Sequence, residues 1–512
     1  MRSTFMGLEI ARRGMFTQQT ALHTTGQNVA NASTPGYSRQ RVNFTQTEPY
    51  PGKGMNMPQM PGQMGTGVEA DSIQRVRESF LDTQYRAESN KLGYWESRSE
   101  SLSKMENVMN EPSDSGLSYT MNQFWQSLQD LATDPTNSGA RSVVRQRGEA
   151  VSETFNYLSN SLSTIQKDEK DQVDVTVKEV NSLVYQLNNV NQQIGSVEPH
   201  GYLPNDLYDE RDRLIDQLSS MVNIKVSYTG SGGNPDPGAE GQATIKMVSD
   251  NGSELGILLS SAGSNELKVN YDGAEGSSVK TIEVGQDKID FSKMNSSGKL
   301  SALIQSYGYD DNGKATGIYT DMISKLDQMA YTFANEFNAI HEKGFSPNEI
   351  SSKTSKDILF FADSGSDSKG FAGKIQVSDD IKNSLDNIAT AGGSDVTKAT
   401  LGDGGNVTAL ADVFNNKLEY EPNEQSDFRS FYQGVIGGMA VMSQEATRLS
   451  NNSSTLKQAV DDKRQSVSSV SLDEEMTNMI QFQHAYNASA RMITLQDEML
   501  DKIINGMGAG GR

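Results

Sequence analysis

The chain has 512 residues, a formal charge of −21, no cysteine, 35% hydrophobic and 22% charged residues, and a mean hydropathy of −0.59. Its size implies several domains, while the lean apolar fraction points to an elongated, helix-rich molecule rather than a compact enzyme. The acidic excess argues against nucleic-acid binding through clustered Lys and Arg, and the missing cysteines exclude disulfides, thiolate metal sites and cysteine nucleophiles.

The N-terminal stretch "MRSTFMGLEIARRGMFTQQTALH" lacks the continuous apolar run of a cleaved secretory signal, and no segment has the apolar length of a transmembrane helix. No membrane insertion is expected, and export would need a route without a cleaved leader. Leu8, Met15, Leu22 and Val29 recur every seven residues, with Ala11 between the first two, and so share one stripe of a helix. The run from Asn31 ends that stripe: Pro35 disfavours helical geometry at Thr34, and Pro35-Gly36 suits a type II turn. A Pro/Gly-punctuated loop follows, in which Met55, Met57, Met60 and Met64 suit gap filling.

A helical pattern is expected from Ile73 to about Met109, through Phe80, Tyr85, Leu92 and Trp95. Residues 140–197 read as very long helix, with Val144, Val151, Leu158 and Ile165 in one register beside Phe155 and Leu162. After a one-residue phase slip within "QKDEKD", Val173, Val180, Leu187 and Ile194 form a second register. The element is either one continuous rod or a hairpin broken at the slip. After the helix "LPNDLYDERDRLIDQLSSMV", the rhythm changes to period two at Val222, Ile224, Val226 and Tyr228. Strands are expected around Ile245, Ile257, Val269, Ile282 and Ile289, with a hairpin at Asp272-Gly273.

Helix returns over about 299–343, a Gly/Ser/Asp-rich mixed segment follows, and helix resumes to the C-terminus. There Leu472, Met479, Tyr486, Ile493 and Leu500 repeat in sevens, flanked by Met476, Ala490 and Ile504. Ser471 and Glu474 match a capping box at the start of this helix, and Asn505-Gly506 supplies its stop. The two patterned ends alone bury too little to offset the entropy of ordering them, so they are expected to gain order from neighbouring subunits.

The fold expected is multidomain and mainly α with β-rich insertions: terminal helices forming a coiled-coil-like bundle, a long-helix rod domain, and outer β-rich and mixed domains. Residues 1–45 and 469–512 form the two halves of the terminal helical domain. The rod comprises 46–221, 300–344 and 425–468, while 222–299 is the β-rich and 345–424 the mixed outer insertion.

Residues that carry chemistry are not found. His341-Glu342 would open an H-E-x-x-H zinc motif, but Phe345 stands where the second His belongs. "GYDDNGK", Gly308 to Lys314, follows a phosphate loop until Ala315 replaces the magnesium-binding hydroxyl, and Asp310 and Asp311 would repel phosphate. It reads as a polar turn. No catalytic, cofactor-binding or metal residue is assigned, and no cofactor is expected.

"NVANASTPGYSRQR", from Asn28, resembles the N-terminal signature of bacterial flagellar axial proteins, in which a terminal helix is followed by an Asn-rich turn and T-P-G-Y. Asn28, Asn31, Pro35, Gly36 and Tyr37 carry that turn. "VSLDEEMTNMIQFQHAYNASARMITLQDEMLDKIING" is similar to the C-terminal helix of the same proteins. Its L-D-E-E-M opening, with "GTGVEADSIQRVRESFLDTQYR" and "NDLYDERDRLIDQLSSMV", looks most like the FlgK family of the hook–filament junction. Asn487 and Ser489 depart mildly from the usual A-Y-x-A-A-A-R.

The resemblance implies a structural role. The terminal helices would pack into an inner tube, the rod would form the next shell, and the insertions would face outward, with the turn redirecting the chain between shells. The assembly seam would comprise Leu8, Ala11, Met15, Leu22, Val29, Leu472, Met476, Met479, Tyr486, Ala490, Ile493 and Leu500. Implied partners are further copies in a helical ring, hook protein, hook-associated protein 3, the flagellar type III export apparatus and an export chaperone. The implied location is extracellular, at the hook–filament junction. Two alternatives stay open: another axial protein, either hook-associated protein 3 or a distal rod component, or an extracellular enzyme mounted on the flagellum through its ends.

Overall fold

The computed structural model describes residues 5–50, 62–109, 111, 113, 116–272, 278–362, 365, 367–421 and 424–506. The chain begins with α1 (Met6–Ala30), strands β1 (Gln40–Gln46) and β2 (Val68–Arg75), and helices α2 (Ser79–Met109), α3 (Leu117–Thr133), α4 (Ser138–Val197) and α5 (Asn205–Met221). Next come β3 (Ile224–Thr229), β4 (Gln242–Val248), β5 (Glu254–Ser260), β6 (Gly263–Ser264), β7 (Leu267–Asp272), β8 (Ser278–Val284) and β9 (Asp287–Asp290). Helices α6 (Phe291–Met294) and α7 (Lys299–Tyr307) lead to β10 (Tyr309–Asp311), β11 (Lys314–Thr316) and α8 (Ile318–His341). The mixed segment holds α9 (Pro347–Ser352), α10 (Asp379–Asn383), α11 (Gly405–Asp412), β12 (Leu418–Glu421) and β13 (Glu424–Ser426), before α12 (Phe428–Ser468) and α13 (Leu472–Gly506).

The long helix is continuous. α4 runs for 60 residues, about 90 Å at the usual rise, from an Asn137 side chain that accepts from the Gly139 and Ala140 amides. Its two apolar registers serve two different cores. Val144, Val151, Phe155, Leu158 and Leu162 join α3, α8, the mixed segment and the start of α12, in a cluster where Phe124, Phe333, Phe337, Phe360 and Phe361 stack edge-on or tilted. Val173, Val180, Leu187 and Ile194 join α5, α7 and the strands. The phase slip is the changeover between them. There Glu169 is fully buried, its carboxyl raised by burial and held by the Ser101 hydroxyl at 3.0 Å and Lys104 Nζ at 3.3 Å.

The β-rich segment forms a sheet ordered β3-β4-β5-β6 and another ordered β11-β10-β8-β7, with β9 on β8. The strands expected around Ile245, Ile257, Val269, Ile282 and Ile289 are all present. β7 and β8 pair antiparallel, while Gly273 of the expected hairpin turn lies outside the described residues. Both insertions bury their apolar residues in the cores of the helices, a sharing that periodicity along the chain does not reveal.

Two expectations change. Ile73 lies in β2, and the helix begins only at Ser79; β2 pairs with β1 instead, Ile73 opposite Val42. The helical return over 299–343 is interrupted by the β10–β11 hairpin, where Asn312 and Gly313 adopt positive φ and make "GYDDNGK" a polar turn. Met55, Met57 and Met60 lie outside the described residues, while Met64 bridges to Tyr50.

α12 returns antiparallel along α2, with Ser99 facing Thr447 at 3.0 Å and Arg464 within 3.8 Å of Asp82. It thereby delivers α13 to the end of the molecule where α1 begins its turn.

Candidate assembly site

α1 and α13 pair antiparallel through a column of small residues. An added Cβ at Gly7 would lie 2.9 Å from Gln496 Nε2, and one at Gly14 3.2 Å from Ser489 Oγ. A further two heptads along α1, Asn28 Nδ2 donates to Glu475 Oε2 at 3.2 Å. Each step of seven along α1 is thus matched by seven back along α13, which sets buried Ala21 level with Phe482. Phe44 of β1 reaches over the pair and meets the Phe482 ring edge-on at 6.0 Å.

The apolar stripe expected on α1 lies one position round from that column. Leu8, Met15, Leu22 and Val29 are half-buried and Ala11 is buried. On α13, Met479, Tyr486, Ala490, Ile493 and Leu500 are half-buried toward α1, whereas Leu472 and Met476 are exposed. A heptad count restricted to large apolar residues overlooks Gly7, Gly14, Ala21 and Ser489. The legible signal was a second heptad, Gly7-Gly14-Ala21-Asn28, immediately before the first.

The pair leaves much apolar surface uncovered. Met492, Leu495 and Met499 line one flank of α13, with Leu495 48% exposed; Met476 and Ile480 line the other, with Met476 54% exposed. Ile10 and Phe16 are exposed on α1, as is Phe5 just before it.

The root of the pair is a polar knot built by the T-P-G-Y turn. Tyr37 N–H donates to Thr34 O at 3.2 Å and Gly36 takes φ +85°, a type II turn that glycine accommodates without strain. Asn28, 1% exposed, accepts from Gln40 N–H (3.0 Å) and Tyr37 Oη (2.9 Å) and donates to Gln40 O (2.8 Å). Burial, then Asp206, Asp209 and Glu475, raise the Tyr37 phenol above its usual range, so it remains a donor. Arg39 binds Glu475 at 2.7 Å and Glu474 at 2.8 Å, giving Glu474 a partner across the turn in addition to any capping role.

Backbone bonds tie the turn to the rod: Arg39 N–H donates to Ser468 O, Val76 N–H to Arg39 O, and Ser38 N–H to Asp209 Oδ2. Asp209 belongs to "NDLYDERD", in which Asp209, Arg211 and Asp212 are buried. Arg75 bridges Asp209 (2.7 Å) and Asp212 (3.0 Å), and Arg77 and Arg86 converge on Asp212 at 3.2 and 3.1 Å. Burial alone would raise the Asp212 carboxyl, but Arg77, Arg75, Arg211 and Arg86 together hold it well below the ordinary carboxylate range. The motif therefore fastens the terminal pair to the rod.

Among the described residues no group of three or more His, Asp or Glu is arranged to hold a metal, and no helix is long and apolar enough to cross a membrane.

Comparison with known proteins follows this division of the molecule. The flagella basal body rod protein family matches residues 8–37, and the C-terminal family of flagellar basal body rod FlgEFG proteins matches 463–506. Those spans are α1 with its turn, and α13 with the end of α12. The flagellar hook-associated protein FlgK helical domain matches residues 102–358. Flagellar hook-associated protein 1 of Bacillus subtilis (strain 168) is 48% identical over 519 residues, covering 100% of both chains.

The chain belongs to the flagellar hook-associated protein 1 family. A Salmonella typhimurium member is 25% identical across 97% of this chain and 98% of its own. The solved flagellar hook junction protein FlgK from Burkholderia pseudomallei shares the fold, with a TM-score of 0.55 at 13% identity over 76% of this chain and 100% of that one. As a member of the hook-associated protein 1 family, the chain is a structural protein of the flagellum and associates with its axial components.

Proposed function

We propose that this chain is the adaptor between hook and filament, outside the cell, and that it works by packing its terminal helix pair rather than by catalysis. The carrying observation is the α1–α13 pair, which satisfies its polar root internally yet exposes apolar residues on both flanks of α13. Two unlike flanks suit heterologous, head-to-tail contacts around a helical lattice, where each copy meets a different surface of the next. The seam residues left half-buried in one chain, and exposed Leu472 and Met476, are then covered by neighbouring copies. Hook protein on one side and hook-associated protein 3 on the other are the proposed axial neighbours. Passage through the flagellar type III apparatus, with a chaperone on the apolar α13, completes the reading.

Deleting residues 1–41 tests it. The rod cores, which draw nothing from α1, stay folded, while incorporation and motility are lost. Normal filaments from the deletion would overturn the proposal.

A further inference from the structure

A pocket of about 140 Å³ opens between α3, the end of α11 and the start of α12, far along the rod from the terminal pair. Met121, Trp125, Phe414, Phe428 and Tyr432 form its walls, and Asn122 and Arg429 stand among its polar lining. The volume is close to that of a cavity of ~150 Å³ that accepts benzene. Trp125 Nε1–H is buried and makes no hydrogen bond among the described residues. Arg429 is exposed and leans on Asn122 Oδ1 at 2.7 Å.

Among the described residues no carboxylate lines this space. Glu111, nearby in the chain fold, is engaged by the Tyr432 hydroxyl at 3.3 Å and Ser118 N–H at 3.0 Å. Asp427 is taken by the Ser430 amide and hydroxyl. A part-open cleft of one ring's size, with aromatic walls and a guanidinium among its lining, fits a group that is apolar at its tip and anionic beside it.

We infer that this pocket is a socket for one aromatic or large aliphatic side chain, carried next to an acidic residue by an adjoining protein subunit of the axial structure. The charge match selects the acidic neighbour, and the aromatic walls select the apolar tip. The inference rests on axial association, not on the hook–filament position, so the two fail separately.

The full chain has two tryptophans, so Trp95→Phe leaves Trp125 as the reporting indole. Phenylacetate is titrated against toluene and phenethylammonium, following Trp125 fluorescence and its indole N–H resonance. Phenylacetate should shift both signals saturably, and Arg429→Met should weaken it about tenfold, as loss of a charge-assisted bond does, while leaving toluene unchanged. Phenethylammonium should bind least. Absence of a saturable Trp125 response to any probe, or equal response to the anion and the cation, overturns the socket. In assembled flagella, a photo-crosslinking residue at Asn122 should join this chain to a neighbouring subunit. No crosslink, in filaments that contain the chain, overturns the proposed occupant even where the probes bind.

Discussion

Asn28 and Glu475 stand 447 residues apart in the chain and meet side chain to side chain at 3.2 Å, both buried where the terminal helices leave the rod. The contact closes a polar set that also holds Gln40, Tyr37 and Arg39. Asn28→Ala strands the Gln40 amide and one carboxylate oxygen of Glu475 together, so it should cost about 2–4 kcal/mol locally. A multidomain chain does not unfold in one step, so the measurement is hydrogen exchange of the α1 amides. Glu475→Gln keeps an acceptor for Asn28 and should cost less. Unchanged protection of α1 in Asn28→Ala would show that the knot contributes nothing to holding the pair.

Gly14 sets how closely the two helices approach. With an added Cβ already 3.2 Å from the Ser489 hydroxyl, which is fixed by its bond to Ala485 O, Gly14→Val should push the helices apart and cost about 1–3 kcal/mol. The natural chain has no cysteine, so the register can be read directly. Gly14→Cys with Ser489→Cys should oxidise quickly, since the pair lies within disulfide reach. Gly14→Cys with Leu495→Cys, on the outer flank, should not. Equal rates for the two pairs would refute the register.

His341 gives a pH dependence with a defined sign. It is 1% exposed, with Nδ1 2.7 Å from Ile358 O and Nε2 accepting from Ala389 N–H at 3.0 Å. Burial is the main cause that brings its pKa from the ordinary 6.5 down to about 4. The folded state therefore holds the neutral ring, and the unfolded state binds the extra proton between those values. Its stabilisation is fully present above about pH 6.5 and is lost as pH falls toward 4, by up to about 3 kcal/mol. The other three histidines are exposed. Thermal unfolding of the α8 core should thus fall from pH 7 to pH 4.5, and His341→Gln should flatten that slope. A wild-type slope retained in the variant would assign the effect elsewhere.

The parts of this architecture legible in the sequence were those whose period survives tertiary packing. Val144 through Leu162 and Val173 through Ile194 marked both faces of α4, and the slip between them marked the place where the helix passes from one core to another. What periodicity hid was partnership. Ile73 looks helical because it precedes a helix, yet it pairs with Val42 of an earlier strand. Glycine lowers helix propensity, and the use of Gly7 and Gly14 appears only once Gln496 and Ser489 are brought against them. Pro35-Gly36 was readable as a turn, but Asp209 as its anchor was not, since nothing local joins residue 38 to residue 209.

The flanks of α13 separate folding from assembly. Ile493 is half-buried toward α1, whereas Leu495, two residues on, is 48% exposed. Placing a charge at Ile493 puts an unpaired carboxylate against the partner helix, so Ile493→Asp should loosen the pair within the single chain and weaken assembly as well. Leu495→Asp leaves its charge in water when the chain is alone. Hydrogen exchange of its monomer should match the parent, and only incorporation into flagella should fall, because a neighbouring copy would have to bury that carboxylate. If Leu495→Asp assembles as well as the parent, the exposed flank is not an interface, and the helices would have to pack through another face.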